Sequence, residues 1–305
     1  MRKRPSSSAM KSLTASLFVG PSAILITLFY FIPVILTILI AFTSMDRSLD
    51  WQFVGFSNFL RLFGVGSKDP FLLRIVRNTV VYVAGALPLT IFGGLFLSIL
   101  SMRLDKRTGL FFRTIFFIPR AIPPVVWGFL WAWSFEGTRY GLFNAIRSAL
   151  GLPVLHWLIQ YPMVIVILAN GFLGISLSML VFSSAIASIP VELTRAAEID
   201  GASRWQISWY VIIPLLKWPI LTMTAWHLMS FVNSYVYIML ITGGGPYYRT
   251  EVWSLYAYHT AFNQYRYGYG ATLTTILIVI NITLLFLVLR FFGLKRMVQR
   301  GKIEV

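Results

Sequence analysis

Long stretches without a charged residue alternate along the chain with short charged segments. An α-helix needs about 20 apolar residues to cross roughly 30 Å of hydrocarbon. The pattern predicts six membrane spans, at about 16–43, 78–102, 114–135, 162–186, 218–241 and 270–289. We therefore expect an all-α integral membrane protein, with a transmembrane domain over 12–291 and cytoplasmic tails over 1–11 and 292–305.

The first and fourth of these windows differ from a simple membrane span. The first follows several basic residues, as the apolar part of a signal peptide would, but it is longer and lacks a small-x-small cleavage site. We therefore predict an uncleaved membrane anchor. The fourth lies in a run too long for one helix, where Pro153 and Pro162 indicate a re-entrant or surface segment around Leu155 to Tyr161.

Composition and charge support a membrane location. Hydrophobic residues make up 57% of the chain and charged residues only 12%, whereas about 25% are charged in an ordinary soluble domain. The net charge of +16 could indicate a nucleic-acid partner. However, 16 basic residues fall on the side of the N-terminus and 9 on the opposite side, with Arg120 inside the third span. Because basic residues are retained in the cytoplasm, we expect both termini there, lipid around the spans, and no nucleic acid.

Several kinds of chemistry lack their usual residues. The chain has no cysteine, and its only Gly-Lys pair, Gly301-Lys302, does not belong to a phosphate-binding loop. The histidines are far apart and without zinc spacing, and no catalytic arrangement is recognisable, so we predict neither a metal site nor catalytic residues. All ten acidic residues fall outside the spans, unlike those of an ion-coupled carrier. The energy for any transport must therefore come from a partner.

A segment between the fourth and fifth spans, residues 190–214, reads as a helix-glycine-helix unit. Pro190 can open a short helix that Gly201 closes in the left-handed conformation. Ser203 and Gln206 have the spacing of a capping box, and Pro214 is expected to break the second helix. Residues 192–200 contain three acids and one base, whereas helices lying on lipid have a strongly basic face. We therefore favour docking into another protein over a lipid-surface helix.

The same segment resembles the EAA loop of ABC importer membrane subunits, E-A-A-x-x-x-G-x9-I-x-L-P. It reads Arg195-Ala-Ala-Glu-Ile-Asp-Gly201, nine further residues, and Val211-Ile-Ile-Pro214, so the spacing is the same. The resemblance implies a coupling helix that docks into a cytoplasmic ATPase. The residues implied in coupling are Glu192, Arg195, Ala196, Ala197, Glu198, Asp200, Gly201 and Pro214.

Two departures of the loop from the family pattern stand out. Arg195 stands where the family usually has glutamate, and Ile213 where it has leucine. Glu192, in Pro-Val-Glu-Leu, matches another acid common in the family, so either Glu192 or Glu198 can supply the acidic contact.

Further matches run almost from end to end and resemble the MalF/UgpA-like sugar permeases. They are Phe53-Val-Gly-Phe-Ser-Asn-Phe59, Asn78-Thr79, Arg113-Thr-Ile-Phe-Phe-Ile-Pro119, Ile122-Pro-Pro-Val125, Gly141-Leu-Phe-Asn144, Thr242-Gly-Gly-Gly-Pro246 and Gly268-Tyr-Gly-Ala271. The resemblance implies a type I importer fold in a prokaryotic plasma membrane, with alternating access. It also implies a second permease, a dimer of ATPase subunits that bind ATP and Mg, and an extracytoplasmic sugar-binding protein. This chain itself would bind no cofactor.

Polar side chains near the middle of the fifth span suggest where a sugar could bind. His227, Ser230, Phe231 and Ser234 form one stripe at helical spacing, with Asn233 beside it. The residues alone favour helix packing, since Ser, Asn and His also join helices in membranes. The resemblance favours substrate contact instead, because the sugar contacts of maltose-type members fall on this helix. In the fourth span the matching positions are Leu173, Gly174 and Leu177, for which close helix packing is an equally good explanation.

Arg120 lies beside several prolines in the third span, where a broken helix could expose carbonyl groups. We favour snorkelling or structural bracing over substrate contact for this residue. Two alternatives to a sugar importer remain. One is an ABC permease for another solute such as a phosphorylated polyol, which a concentrated basic patch would favour. The other is a self-sufficient secondary carrier, which would need intramembrane ion sites and internal repeats.

Overall fold

A computed structural model describes residues 7–64 and 69–292, with side chains over 17–64, 69–105 and 107–290. The outer parts of the predicted tails, 1–6 and 293–305, lie outside the described residues. Within the described residues, all regular elements are helices, apart from an isolated β-bridge between Thr43 and Phe53. The helices are α1 (Ser7–Ile26), α2 (Ile32–Ile40), α3 (Ser57–Leu62), α4 (Leu72–Met102), α5 (Lys106–Ala121), α6 (Pro124–Ser134), α7 (Leu142–Ala149), α8 (Trp157–Gln160), α9 (Pro162–Ala187), α10 (Val191–Ile199), α11 (Arg204–Ile207), α12 (Ile213–Leu215), α13 (Lys217–Val232), α14 (Val236–Thr242), α15 (Trp253–Tyr258) and α16 (Tyr267–Phe292). Short π-helical segments at Thr27–Phe31, Ser208–Ile212 and His259–Asn263 join neighbouring helices.

Four helical segments are long and apolar enough to cross a membrane. They are Leu17–Ile40, Leu72–Met102, Pro162–Ala187 and Tyr267–Arg290, and two bent helix pairs bring the number of possible spans to six in the described part of the chain. α1 begins at Ser7, inside the predicted tail 1–11. The helix of the second span, α4, begins at Leu72, six residues before the predicted start of that span at Asn78. The re-entrant or surface segment predicted around residues 155–161 contains only the short helix α8.

The third predicted span, 114–135, is not one straight helix. α5 and α6 meet at an angle of 98°. Ile122 is extended, with φ −74° and ψ 131°, and Pro123 also has a ψ of 141°. The cause is local, since a proline disfavours the helical conformation in the residue before it and has no N–H to donate. A broken helix beside these prolines was considered from the sequence, and the structure confirms the break.

The fifth predicted span, 218–241, is also interrupted. α13 ends at Val232, α14 begins at Val236, and α13 itself meets the preceding helical segment at 67°. The break predicted at Pro214 falls two residues later, since the helical segment ends at Leu215 and α13 begins at Lys217. Pro214 lies in the first turn of α12, directly after the π-helical segment Ser208–Ile212. In a regular α-helix the proline ring would clash with the carbonyl group four residues earlier. The wider turn of the π-helix shifts that carbonyl group relative to the Pro214 ring and so avoids the clash.

The chain divides into two units, residues 1–69 with 257–276 and residues 70–256 with 277–305. In the first unit, Asn58 Nδ2 donates hydrogen bonds of 3.0 and 2.9 Å to the carbonyl oxygens of Ala41 and Thr43. Tyr269 donates to Asp69 at 2.8 Å. These bonds explain why an asparagine stands in the Phe53–Phe59 motif, since its amide holds the end of α2.

The second unit is built on the close pairing of α4 with α9. Glycines make this approach possible, because a Cβ at Gly85 or Gly93 would lie only 2.7 Å from Ile167 or Ile175. Small residues of this kind let membrane helices pack backbone to backbone. α5, α6, α13 and α14 also contact this pair or one another, so the residues of both candidate sites described below are positioned by it.

Candidate functional site

A cavity of about 350 Å³ opens in the second unit among α5, α6, α9, α13 and α14. Six of the predicted substrate-path residues line it, and Leu177 and Asn233 do not. Its lining residues are Arg120, Ile122, Pro124, Asn170, Leu173, Gly174, Trp226, His227, Ser230, Phe231, Ser234 and Tyr237.

The stripe on α13 divides between packing and the cavity. His227 and Phe231 are each 3% exposed, and their rings stack at 5.5 Å. His227 Nε2 also shares a hydrogen bond of 3.0 Å with Ser178 Oγ on α9. Ser230, by contrast, is exposed. Both interpretations of the stripe therefore hold in part, since the rings pack between helices and the Ser230 hydroxyl is open to the cavity.

Asn170 on α9 is a lining residue that the sequence analysis missed. Its side-chain amide donates hydrogen bonds to the Tyr82 hydroxyl and, at 2.8 Å, to Ser234 Oγ. No described residue donates to its Oδ1. The sequence did contain a signal for Asn170, since it is an amide within a charge-free span. Polar side chains in a membrane span usually face a protein neighbour or a cavity. The Asn170 amide thus joins α9 to α4 and to the break between α13 and α14, and its Oδ1 is left as an available acceptor.

The predicted positions on α9 are occupied mainly by packing. A Cβ at Gly174 would collide with Thr90 of α4, so this glycine is needed for the approach of the two helices. Leu173 is 5% exposed at the edge of the cavity. Leu177 packs on an apolar cluster that includes Phe182 and Met223. The close approach to Thr90 therefore supports helix packing, rather than substrate contact, as the explanation for Gly174.

Asn233 lies away from the cavity lining. It donates to Asn281 Oδ1 at 2.8 Å, and Asn281 returns a hydrogen bond of 3.0 Å to Asn233 Oδ1. This reciprocal amide pair joins the end of α13 to α16. Sequence spacing could not reveal the partner, which is 48 residues away.

Arg120 stands in the last turn of α5, directly before the break. The carbonyl oxygen of Phe116 in this turn accepts a hydrogen bond of 2.7 Å from Ser176. Arg120 itself is exposed, lines the cavity, and makes no hydrogen bond or ion pair with any other described residue. His227 and Tyr237 line the same cavity. The predicted bracing of exposed carbonyl groups therefore has no contact to support it.

The turn after α14 is held by the Asn78-Thr79 pair singled out in the sequence. Asn78 Nδ2 donates to the carbonyl oxygens of Tyr248 and Glu251 at 2.7 and 3.0 Å. Thr79 Oγ1 accepts from Trp253 N at 2.9 Å. Gly244, at φ +83°, packs so closely on the Glu251 carboxylate that no Cβ would fit. The Gly-Gly-Gly-Pro motif is thus part of a turn fixed to α4.

The segment predicted to couple to an ATPase, residues 190–214 and called the coupling segment below, presents an exposed surface. Glu192, Arg195, Glu198 and Asp200 are exposed, and Ile199 is 86% exposed. The predicted helix is present and runs from Val191 to Ile199. Gly201 has the predicted left-handed conformation, with φ +79°, and the predicted capping box of Ser203 and Gln206 is formed. Ala196 is exposed, Ala197 is half-buried, and Pro214 is exposed. An apolar tip surrounded by charges is therefore free for a partner in the described part of the chain.

The inner side of the coupling segment is fixed to the rest of the second unit. Ile207, Ile212 and Leu216 form one buried cluster with Ile99 of α4 and Ile186 of α9. The Arg103 guanidinium lies 4.5 Å from the centre of the Trp205 ring and donates to Ser208 Oγ at 3.1 Å. The segment that follows α10 is therefore packed directly on the ends of α4 and α9.

The start of α5 faces a second cavity, of about 620 Å³, beside the coupling segment. Asp105 caps α5 by accepting hydrogen bonds from Arg107 N at 3.1 Å and Thr108 N at 3.0 Å. The hydrogen bonds from Thr108 hold the pKa of the Asp105 carboxyl below its usual value of 3.8. This cavity is lined by basic and acidic residues alike, among them Arg103, Arg113, Asp105 and Glu198.

Comparison with known proteins gives the family. Residues 90–298 match the model of the binding-protein-dependent transport system inner membrane component. A probable ABC transporter permease protein of Pyrococcus horikoshii is 32% identical over 269 residues, which cover 86% of this chain and 90% of the relative. The galactooligosaccharides transport system permease protein GanP of Bacillus subtilis is 28% identical over 87% of this chain and 66% of its own length. A chain of a bacterial alginate ABC transporter has the same fold, with a TM-score of 0.80, 22% identity, and coverage of 96% of this chain and 97% of its own. The chain therefore belongs to the family of binding-protein-dependent transport system inner membrane components, the permease subunits of ABC importers.

Proposed function

We propose that this chain forms half of the translocation path of an ATP-driven importer for a mono- or oligosaccharide. The observation that carries this proposal is the cavity in the second unit, whose lining combines the Ser230 hydroxyl and the Asn170 amide with the exposed Trp226 ring and the largely buried Phe231 ring. A sugar ring packs its C–H face on an aromatic ring while its hydroxyl groups form hydrogen bonds. A volume of about 350 Å³ lies at the low end of small-molecule sites, which suits a short saccharide.

The relatives support a sugar rather than another solute. The names of two proteins similar to this chain refer to galactooligosaccharides and alginate. A phosphorylated polyol would call for a group of basic residues, whereas Arg120 is the only Lys or Arg among the lining residues of the cavity. The sugar interpretation therefore accounts for more of the observed lining.

Coupling is proposed to pass through the exposed face of α10. Glu192, Arg195, Glu198 and Ile199 would contact a partner ATPase subunit, which binds ATP and Mg. Closure of the ATPase dimer would then move α10, and the buried cluster around Ile212 would transmit the movement to α4 and α9. The cavity would face the two sides of the membrane in turn.

We further propose that both termini are cytoplasmic and that a second permease subunit completes the path. The excess of basic residues on the N-terminal side supports this orientation. The window Leu17–Ile40 has no buried residue, which leaves its surface available to lipid or to the second permease. An extracytoplasmic binding protein would deliver the sugar at the opposite face.

Purification of the tagged chain from its native membrane, with identification of its partners by mass, tests the proposal. We expect a second permease and a nucleotide-binding subunit, and sugar uptake by liposomes that contain this complex, its binding protein and ATP. A chain that purifies without an ATPase and transports under an ion gradient alone would overturn the proposal in favour of a secondary carrier.

A further inference from the structure

Arg120 is the only Lys or Arg in the cavity lining, and it has no hydrogen-bond or ion-pair partner among the described residues. No acidic residue belongs to the cavity lining, and none forms an ion pair with Arg120 among the residues that the structure describes. The other ionisable residues in the lining are His227 and Tyr237, and these side chains do not ordinarily carry a negative charge at neutral pH. The guanidinium therefore has five N–H donors and no anion to receive them.

A charge in this position needs compensation. Ionised groups at membrane depth are costly unless they are paired or hydrated. The end of α5 supplies part of the compensation, because the C-terminus of a helix carries about half a negative charge. The remaining charge faces the space in which the sugar is proposed to bind, beside the Ser230 hydroxyl and the Asn170 Oδ1.

We infer that Arg120 selects a saccharide with a single negative charge, such as the carboxylate of a uronate. This inference rests on the proposed sugar function and names the class of sugar. A guanidinium binds a carboxylate through two parallel hydrogen bonds, which also fixes the orientation of the ring that carries it. One unpaired arginine matches one carboxylate, whereas a phosphate dianion would leave charge uncompensated in the same cavity.

The test separates the permease from its binding protein. The importer complex, purified without the binding protein, is titrated with matched mono- and disaccharides that differ only by a carboxylate or a CH₂OH group at C6. Binding is followed by thermal shift and by ligand-detected NMR, in the wild-type complex and in the variants Arg120→Gln and Arg120→Lys. The control is Arg290→Gln, which removes an exposed arginine at the end of α16 that makes no hydrogen bond with described residues.

We expect the wild type to bind the uronates more tightly than the neutral sugars. Arg120→Gln should weaken uronate binding about 10- to 100-fold, as the loss of a charge-assisted bidentate pair does, and leave neutral sugars unchanged. Arg120→Lys should retain part of the preference, because it keeps the charge but loses the planar fork. Arg290→Gln should bind like the wild type.

Two results would overturn the inference while leaving the sugar proposal intact. One is equal or tighter binding of neutral sugars by the wild type, with no effect of Arg120→Gln. The other is a fall in the stability of the sugar-free Arg120→Gln complex with unchanged sugar preference, which would assign Arg120 to an ion pair with another subunit. Binding of no sugar in either series would overturn the proposed function itself.

Discussion

The coupling segment and the cavity differ in how far apart their residues lie along the chain. Residues 190–214 contain the whole coupling segment, including its cap, its left-handed glycine and its exposed tip. The cavity draws its lining from five helices, between Arg120 and Tyr237. A local motif such as the coupling segment can be recognised from consecutive residues. A cavity cannot, because it depends on which faces of helices distant in sequence pack together. The two regions should therefore respond differently to substitution.

The largest effect should follow Gly201→Val, which is directed at the coupling segment. Gly201 has φ +79°, and a Cβ there would meet no atom within 4 Å. The cost is therefore backbone strain of about 1–2 kcal/mol, larger for a β-branched side chain, rather than a clash. Re-aiming α10 should abolish sugar uptake while the protein stays in the membrane. Uptake and membrane content in the same preparation measure this.

Gly151→Val is the matched control for that variant. Gly151 has φ +70° and equally open space, but it lies in the connection between α7 and α8. We expect similar local strain and retained uptake. Full transport by Gly201→Val, or equal loss in both variants, would remove the special role of the coupling segment.

Phe231→Ala should have the next largest effect, now in the cavity. Phe231 packs on the Tyr82 ring at 6.0 Å and on His227 at 5.5 Å. Removal of a buried phenylalanine side chain costs about 3–5 kcal/mol in protein cores. We expect a lower melting temperature together with a higher half-saturating sugar concentration, and ATP hydrolysis that remains coupled to uptake.

Phe182→Ala distinguishes packing from sugar contact. Phe182 is fully buried on α9 and is absent from the cavity lining. This variant should lose comparable stability without a change in half-saturating concentration. If both variants change uptake in parallel, Phe231 belongs to the packing alone.

The same difference explains which features could be predicted from sequence. The capping box at Ser203 and the glycine end of α10 depend on neighbouring residues, and both were predicted. The continuation of the helix through Pro214 was not predicted, because it depends on a π-helical segment for which the apolar pattern has no distinct period. Asn233 was placed beside the substrate stripe from the sequence, but its contact with Asn281, 48 residues away, indicates a role in helix packing.

Ser230→Ala sharpens the description of the cavity with a smaller effect. The Ser230 side chain is exposed in the cavity, so its loss should leave the fold and the melting temperature unchanged. A neutral hydrogen bond contributes about 0.5–1.5 kcal/mol, which corresponds to a roughly 2- to 10-fold change in affinity. Titrated uptake should show a higher half-saturating concentration of that size. An unchanged value would mean that the sugar does not reach this hydroxyl.

Asn233→Ala should change stability slightly and sugar affinity not at all. Hydrogen bonds between membrane helices average about 0.6 kcal/mol, and Asn233 exchanges two with Asn281. A double-mutant cycle with Asn281→Ala should show coupling of this order in thermal unfolding. A raised half-saturating concentration in Asn233→Ala would instead return Asn233 to the substrate path.

The smallest effect concerns the pH dependence of the cap on α5, beside the coupling segment. The pKa of Asp105 is lowered by hydrogen bonds from Thr108, so the folded state favours the carboxylate. Its stabilising contribution is fully present above the pKa of the unfolded carboxyl and is lost as pH falls through the lower folded value. Asp105→Asn keeps a capping side chain but has no charge to titrate. We therefore expect the wild type to exceed this variant in melting temperature near neutral pH and the gap to shrink under acid. A gap that is constant with pH would show that the cap acts through geometry alone.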